Sequence, residues 1–169
     1  LLDHLPPSFT CPMVLVQHRA PQPSQLGPLL QRHTKWAVCE IDDKESIKPS
    51  TLYLAPPGYH LLVERGHFEL STDAPVRWSR PSIDVTFESA ADVYREALVG
   101  VVLTGANADG AEGLARIAHR GGMPVVQDPA TAMEPTMPRA ALEAVPDAEV
   151  LTIEGIAARL LSLCEESNA

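Results

Sequence analysis

Residues 99–113, Val-Gly-Val-Val-Leu-Thr-Gly-Ala-Asn-Ala-Asp-Gly-Ala-Glu-Gly, restrict the fold more than any other part of the sequence. The stretch opens as a mostly β-branched apolar run, 99–103, of the kind that fills a strand buried on both faces. The run stops at Thr104-Gly105, and a polar loop carries the chain to Gly110. Leu114, Ile117 and Ala118 then give an apolar stripe at helical spacing, which predicts a helix over 111–119. Strand, tight loop and helix make half of a βαβ unit. In open α/β sheets the loops at the carboxyl ends of the strands hold the ligands. Asp109 lies in that loop and is the first functional candidate.

The rest of the chain alternates in the same way. Residues 11–17 read as a short apolar strand ending at His18, and 25–33 as a helix carrying Leu26, Leu29 and Leu30 on one face. Residues 36–41 and 51–54 read as strands, and 60–64 with 67–71 as a hairpin about Arg65-Gly66. A helix follows from Ser82 to about 97, with Ser82 as N-cap and Asp84 in the first turn, where a negative charge favours the helix dipole. Gly121-Gly122 ends the helix over 111–119. A strand over 123–127, a helix opening at Pro138, a strand over 148–153 and a closing helix over 156–164 complete the reading. The closing helix has the stripe Ile156, Leu160, Leu161, Cys164.

This pattern predicts an α/β fold: a three-layer αβα sandwich on a largely parallel, Rossmann-like sheet with an antiparallel hairpin. The opening Leu1-Leu2-Asp3-His4-Leu5-Pro6-Pro7 resembles the tail of an amphipathic helix stopped by prolines. Residues 1–169 are therefore expected to form one domain whose first strand lies upstream of Leu1.

The net charge of −9, with no basic cluster longer than two residues, argues against nucleic acid and anionic membrane surfaces as partners. No stretch approaches the ~20 apolar residues of a membrane-spanning helix, so direct membrane insertion is not expected. The three cysteines, Cys11, Cys39 and Cys164, share no metal-type spacing and are expected to be buried thiols in a reducing cytoplasm. No histidine pair has metal-ligand spacing either, so no metal is expected.

His18 and Asp109 both follow strands of the parallel type. A histidine whose tautomer is fixed by an aspartate is the acid–base half of a hydrolase triad. Structural readings compete with this one. Asp109 with Glu112 three residues later is an acceptable capping box, and His18 is an acceptable loop histidine. Residues 107–110 could also cradle an anion, although the pattern of a P-loop is missing. No serine stands in a Gly-x-Ser-x-Gly elbow. Ser8 lies in a connection, Ser24 opens a helix and Ser82 caps one. The natural place for a nucleophile is the end of the upstream strand.

An ordered set of short motifs runs nearly the full length of the chain. They are Val16-Gln17-His18, Tyr53-Leu54-Ala55-Pro56, Tyr59-His60-Leu61, Arg80-Pro81-Ser82-Ile83-Asp84-Val85, Val102-Leu103-Thr104-Gly105, Asp109-Gly110-Ala111, Gln127-Asp128 and Met137-Pro138-Arg139-Ala140-Ala141. With these the chain resembles the catalytic domain of the bacterial chemotaxis protein-glutamate methylesterases. The resemblance implies an αβα enzyme that hydrolyses methyl-glutamate esters on chemoreceptors by a Ser-His-Asp mechanism, with glutamine deamidation as a second activity in some members. It implies His18 as the triad histidine, Asp109 as the triad aspartate and the backbone N–H of Ala106 as an oxyanion donor. Ala106 replaces the family's Met, Asn107 its usual Gly, and Pro129 and Glu134 also depart from the common pattern. The nucleophilic serine would lie in a Gly-Ala-Ser-x-Gly-Gly turn upstream of Leu1. The implied partner is the cytoplasmic domain of methyl-accepting chemoreceptors, with a receiver domain acting in trans because the sequence carries none. No cofactor is implied, and the location is the cytoplasm. Two alternatives stay open: a catalytically inactive module of this fold that binds a signalling partner, and a hydrolase of other small esters.

Overall fold

The computed structural model describes residues 1–19 and 25–167. Its elements are β1 (Met13–Leu15), α1 (Leu26–Leu30), β2 (Ala37–Glu40), β3 (Thr51–Leu54), β4 (His60–Glu64), β5 (His67–Ser71), α2 (Ile83–Tyr94), β6 (Val99–Val102), α3 (Ala111–His119), β7 (Met123–Gln127), α4 (Thr136–Ala144), β8 (Glu149–Leu151) and α5 (Ile153–Ser167). Single 3-10 turns cover Leu2–His4 and Arg95–Ala97.

β3 shows why the fold has three layers. All four of its residues are buried, and the period of two along a strand sends them to opposite faces. Leu52 and Leu54 join Leu5, Phe9, Trp36, Ala157 and Cys164 in a core roofed by the N-terminal segment, α1 and α5. Tyr53 and the following Ala55 join Ile41, Leu61, Val63, Phe68 and Ala90 in a core roofed by the β4–β5 hairpin and α2. Each fully buried Leu contributes roughly 1.5–3 kcal/mol of transfer free energy. A third core sets Val102 and Val126 against Leu114, Met137, Ala141 and Val145 of the α3–α4 side.

The strands pair as expected in direction: β1–β3–β2 parallel, β6–β7–β8 parallel and β4–β5 antiparallel. The parallel strands form two three-stranded sheets, in which β1 and β6 are edge strands.

Several boundaries shift for identifiable reasons. The strand read over 11–17 shrinks to Met13–Leu15, and at its start Cys11 turns towards α5. The strand read to 153 stops at Leu151, because the Thr152 hydroxyl accepts the Gly155 N–H at 3.2 Å and caps α5. Pro138 is the third residue of α4, not the first. The end of α3 matches the reading. Gly121 adopts φ +85°, its N–H donates to Ala118 O, and Gly122 N–H donates to Ile117 O.

The cysteine expectation is corrected. Cys11 and Cys164 form a disulfide across 153 residues, with Cα atoms 5.9 Å apart, and Cys39 is the free thiol. The stripe of α5 delivers Cys164 to the segment that enters β1. Ser24 lies outside the described residues.

α2 and α3 approach closely at Gly113. A Cβ there would lie 2.6 Å from Phe87 Cβ and 3.0 Å from the Asp84 backbone. Gly113→Ala is therefore expected to lose about 1–3 kcal/mol by overpacking, despite alanine's better helix propensity. Denaturant midpoints measure this, and an unchanged or raised midpoint would show that the two helices separate freely.

Candidate active site

The site is built where α2 and α3 begin. The first N–H groups of a helix have no partner within it. At α2 those groups are met by Asp109: Oδ2 accepts from Ile83 N–H at 2.7 Å and Oδ1 from Asp84 N–H at 3.1 Å. The Ser82 hydroxyl also donates to Asp109 Oδ1, at 2.8 Å. At α3 the reverse holds. Asp84 Oδ1 accepts from Gly110 N–H at 2.9 Å and Gly113 N–H at 2.8 Å. Each helix start thus receives its carboxylate from the other.

This exchange revises three local readings. Ser82 occupies the N-cap position of α2, but its hydroxyl serves Asp109 and makes no cap bond. Asp109 and Glu112 form no capping box; Glu112 pairs with Arg77. Residues 107–110 are not an open anion cradle, because the Asp109 N–H is taken by Asn107 Oδ1 and the Gly110 N–H by Asp84.

The two carboxylates are buried and feel opposite environments. Burial pushes Asp109 up, but donation from Ile83, Asp84, His18 and Ser82 outweighs it and holds the carboxyl below its ordinary value. Burial also pushes Asp84 up. The Gly113 N–H opposes this, the Asp109 charge reinforces it, and Gly110 and Arg77 only partly offset it, so Asp84 sits above its ordinary value. Asp84 Oδ2 is buried without a hydrogen-bond partner among the described residues, with Arg77 Nε at 3.6 Å.

His18 follows β1, and its Nε2 lies 2.6 Å from Asp109 Oδ2. The imidazole is 28% exposed and the aspartate fully covered. Asp109 is an ionised acceptor, so Nε2 carries the proton and the lone pair falls on Nδ1. Nδ1 in turn lies 3.1 Å from Asn107 Nδ2. Behind the pair, buried His60 donates from Nε2 to Ala74 O at 3.1 Å and accepts the Ser82 N–H at Nδ1, at 3.3 Å. His60 therefore holds Ser82, which holds Asp109, which holds His18.

The loop before Asp109 is pinned from the other side. Gly105 N–H donates to Glu134 O at 3.0 Å, and Met137 N–H donates to Gly105 O at 2.9 Å. Thr104 N–H donates to the buried Gln127 Oε1, and Glu134 N–H to Thr104 Oγ1, both at 2.9 Å. A Cβ on Gly105 would collide with Met137 Cε at 2.6 Å. Ala106 follows directly, is exposed, and its N–H makes no hydrogen bond to the protein among the described residues.

The two sequence-predicted triad residues thus come together, and Ala106 lies in the same loop. Among the described residues, no serine, threonine or cysteine side chain hydrogen-bonds the His18 ring. Buried Ser82 is committed to Asp109. The roles of Asp84, Asn107 and Gln127 were missed, because each acts across 23 residues or more. The signal that could have found Asp84 was a first-turn acid followed by a second helix opening with glycines.

The sequence profile of the family described as CheB methylesterase matches residues 1–160. The chain is 46% identical over 165 residues to a putative protein-glutamate methylesterase/protein-glutamine glutaminase of Leptospira interrogans, covering 96% of this chain and 86% of that protein. It is 36% identical over 163 residues to the protein-glutamate methylesterase FrzG of Myxococcus xanthus, of which it spans 49%. Its structure superposes on the Thermotoga maritima CheB methylesterase catalytic domain with a TM-score of 0.90 at 30% identity, covering 96% of this chain and 89% of that one.

The opposed carboxylates set a pH test. A group held below its ordinary value contributes stability that is present above that value and lost as pH falls through the lowered one; a raised carboxyl contributes with the opposite slope. Asp109→Asn is expected to cost about 1–3 kcal/mol at pH 7, with the deficit shrinking on acidification through the carboxylate range. The Asp84→Asn deficit is expected to be smaller at pH 7 and to widen on acidification. Urea unfolding at a series of pH values reads both, and parallel slopes would show that the two environments are alike.

Proposed function

The chain belongs to the CheB methylesterase family, and from that premise we propose that it is a protein-glutamate methylesterase working through His18, Asp109 and a serine carried N-terminal to Leu1. The observation that carries the reading is the 2.6 Å contact between His18 Nε2 and a buried, ionised Asp109. In this scheme the serine Oγ attacks the methyl-ester carbonyl of a glutamate side chain. His18 Nδ1 takes the serine proton and later gives it to the departing methanol. Asp109 holds the Nε2–H and stabilises the imidazolium. The backbone N–H of Ala106, beside the pinned Gly105, donates to the developing oxyanion. Water then hydrolyses the acyl-enzyme.

The edge positions of β1 and β6 support an upstream serine. His18 and Asp109 follow these two edge strands, so one strand between them would deliver a nucleophile turn to both. The substrate is the cytoplasmic domain of a methyl-accepting chemoreceptor, the site of action is the cytoplasm, and a receiver domain supplies regulation. No cofactor takes part. Among the described residues no helix is long and apolar enough to cross a membrane. A glutamine carboxamide meets the same machinery as an ester, which makes deamidation the second activity.

The test is methanol release from a methylated receptor fragment by the protein with its upstream segment. His18→Ala is expected to lose activity by about a million-fold and Asp109→Ala by about ten-thousand-fold, as for the equivalent losses in a serine hydrolase. Full activity in His18→Ala would sink the base assignment. A wild-type protein that binds receptor without releasing methanol would support a non-catalytic module.

A further inference from the structure

Among the described residues, Asn107 is the one side chain that hydrogen-bonds to both His18 and Asp109. Its Oδ1 accepts the Asp109 N–H at 3.0 Å, which leaves Nδ2 as the outward donor of the amide. That Nδ2 lies 3.1 Å from His18 Nδ1. The other ring nitrogen is committed to Asp109. A neutral imidazole protonated at Nε2 has a single lone pair, on Nδ1, and Asn107 donates into it. This is also the lone pair that a general base must offer.

We propose that Asn107 is a positioning residue for His18: its amide occupies the Nδ1 lone pair, keeps that nitrogen unprotonated and yields it only to an incoming hydroxyl. An N–H donor facing Nδ1 suits the neutral ring and opposes a second proton. The contact also fixes ring rotation on the side opposite Asp109, in an imidazole that is part-exposed. When the hydroxyl arrives, its O–H replaces the amide at Nδ1. Its proton moves to Nδ1 as its oxygen bonds to the ester carbon and the carbonyl pair moves to the oxyanion, and passes to the methoxy oxygen as the carbonyl re-forms and the methoxy oxygen–carbon bond breaks. Asn107 must turn aside while Nδ1 carries the proton. The other charged groups around the ring have separate partners. Asp109 serves Nε2, Asp84 serves α3 behind it, and the Arg19 guanidinium is held by Glu40 and the Ala55 carbonyl. The assignment of Nδ1 as the base rests on the hydrolase reading; the action of Asn107 on Nδ1 does not.

Two substitutions isolate that action. Asn107→Asp and Asn107→Ser both keep an oxygen able to accept the Asp109 N–H, so each preserves the loop while changing what faces His18. Nitrogen-15 NMR of histidine-labelled protein, with the His18 signal assigned by its loss in His18→Gln, reads the tautomer and its titration. In the wild type the proton is expected on Nε2. The pH at which Nδ1 takes up its proton is expected to rise in Asn107→Ser and to rise by roughly one to three units in Asn107→Asp, where a carboxylate faces the ring. With the nucleophile present, ester hydrolysis by Asn107→Asp at pH 7 is expected to fall tenfold or more and to recover as pH is raised. Titration midpoints that agree among all three proteins, or a wild-type proton on Nδ1, would overturn the proposal. Should Asn107→Asp fail to fold by near-UV circular dichroism, the Asn107→Ser midpoint decides it. The expected NMR shifts in a protein that hydrolyses no ester would support Asn107 and count against the hydrolase reading.

Discussion

The site depends on an exchange of carboxylates between two helix starts. Asp109 satisfies the orphan N–H groups of α2, and Asp84 satisfies those of α3. Neither helix can shift without uncapping the other, and leaving buried backbone donors unpaired costs of the order of 1–3 kcal/mol each. The exchange also sets which acid holds its charge more firmly. Two buried carboxylates side by side cannot both be comfortable as anions. Donors crowd around Asp109 and hold it below its ordinary value, while Asp84 is pushed above. The carboxylate that faces His18 is therefore the one held more firmly in its ionised form. Its role as an acceptor fixes the ring's proton on Nε2.

That arrangement explains why so many buried polar residues surround one contact. His60 and Ser82 are 2% and 0% exposed, and each is hydrogen-bonded into the support of Asp109. A buried polar network of this kind is stable only when its members are satisfied. Among the described residues the one buried side-chain oxygen left over, Asp84 Oδ2, lies on the acid whose anionic form is disfavoured.

Much of this was legible in the sequence, for physical reasons. β3, β4, β5, α3 and β7 have the boundaries that apolar period and glycine punctuation predict, because those signals act within one element. The meeting of His18 and Asp109 was legible because parallel strands release their loops on one edge. What escaped was non-local. The capping rules look three residues ahead, and so proposed Glu112 for Asp109 and Ser82 for α2; the real partners are about 25 residues away. The Cys11–Cys164 disulfide joins residues 153 apart, where spacing carries no signal. The direction of the Asn107 amide is set by two partners that no pattern in the sequence brings together.

The double anchoring of the loop between Gly105 and Gly110 has an evolutionary consequence. Its first end is held by Glu134 and Met137, and its last end by Asp84, with no residue shared. Within it, Ala106 is exposed and its N–H makes no hydrogen bond to the protein among the described residues, so a change there is not transmitted to either foundation, whereas Asn107 reaches both Asp109 and His18. Ala106 is where a lineage can alter this loop while foldability stays untouched. Divergence among such proteins should therefore accumulate at Ala106, and the two interlocked aspartates should drift last.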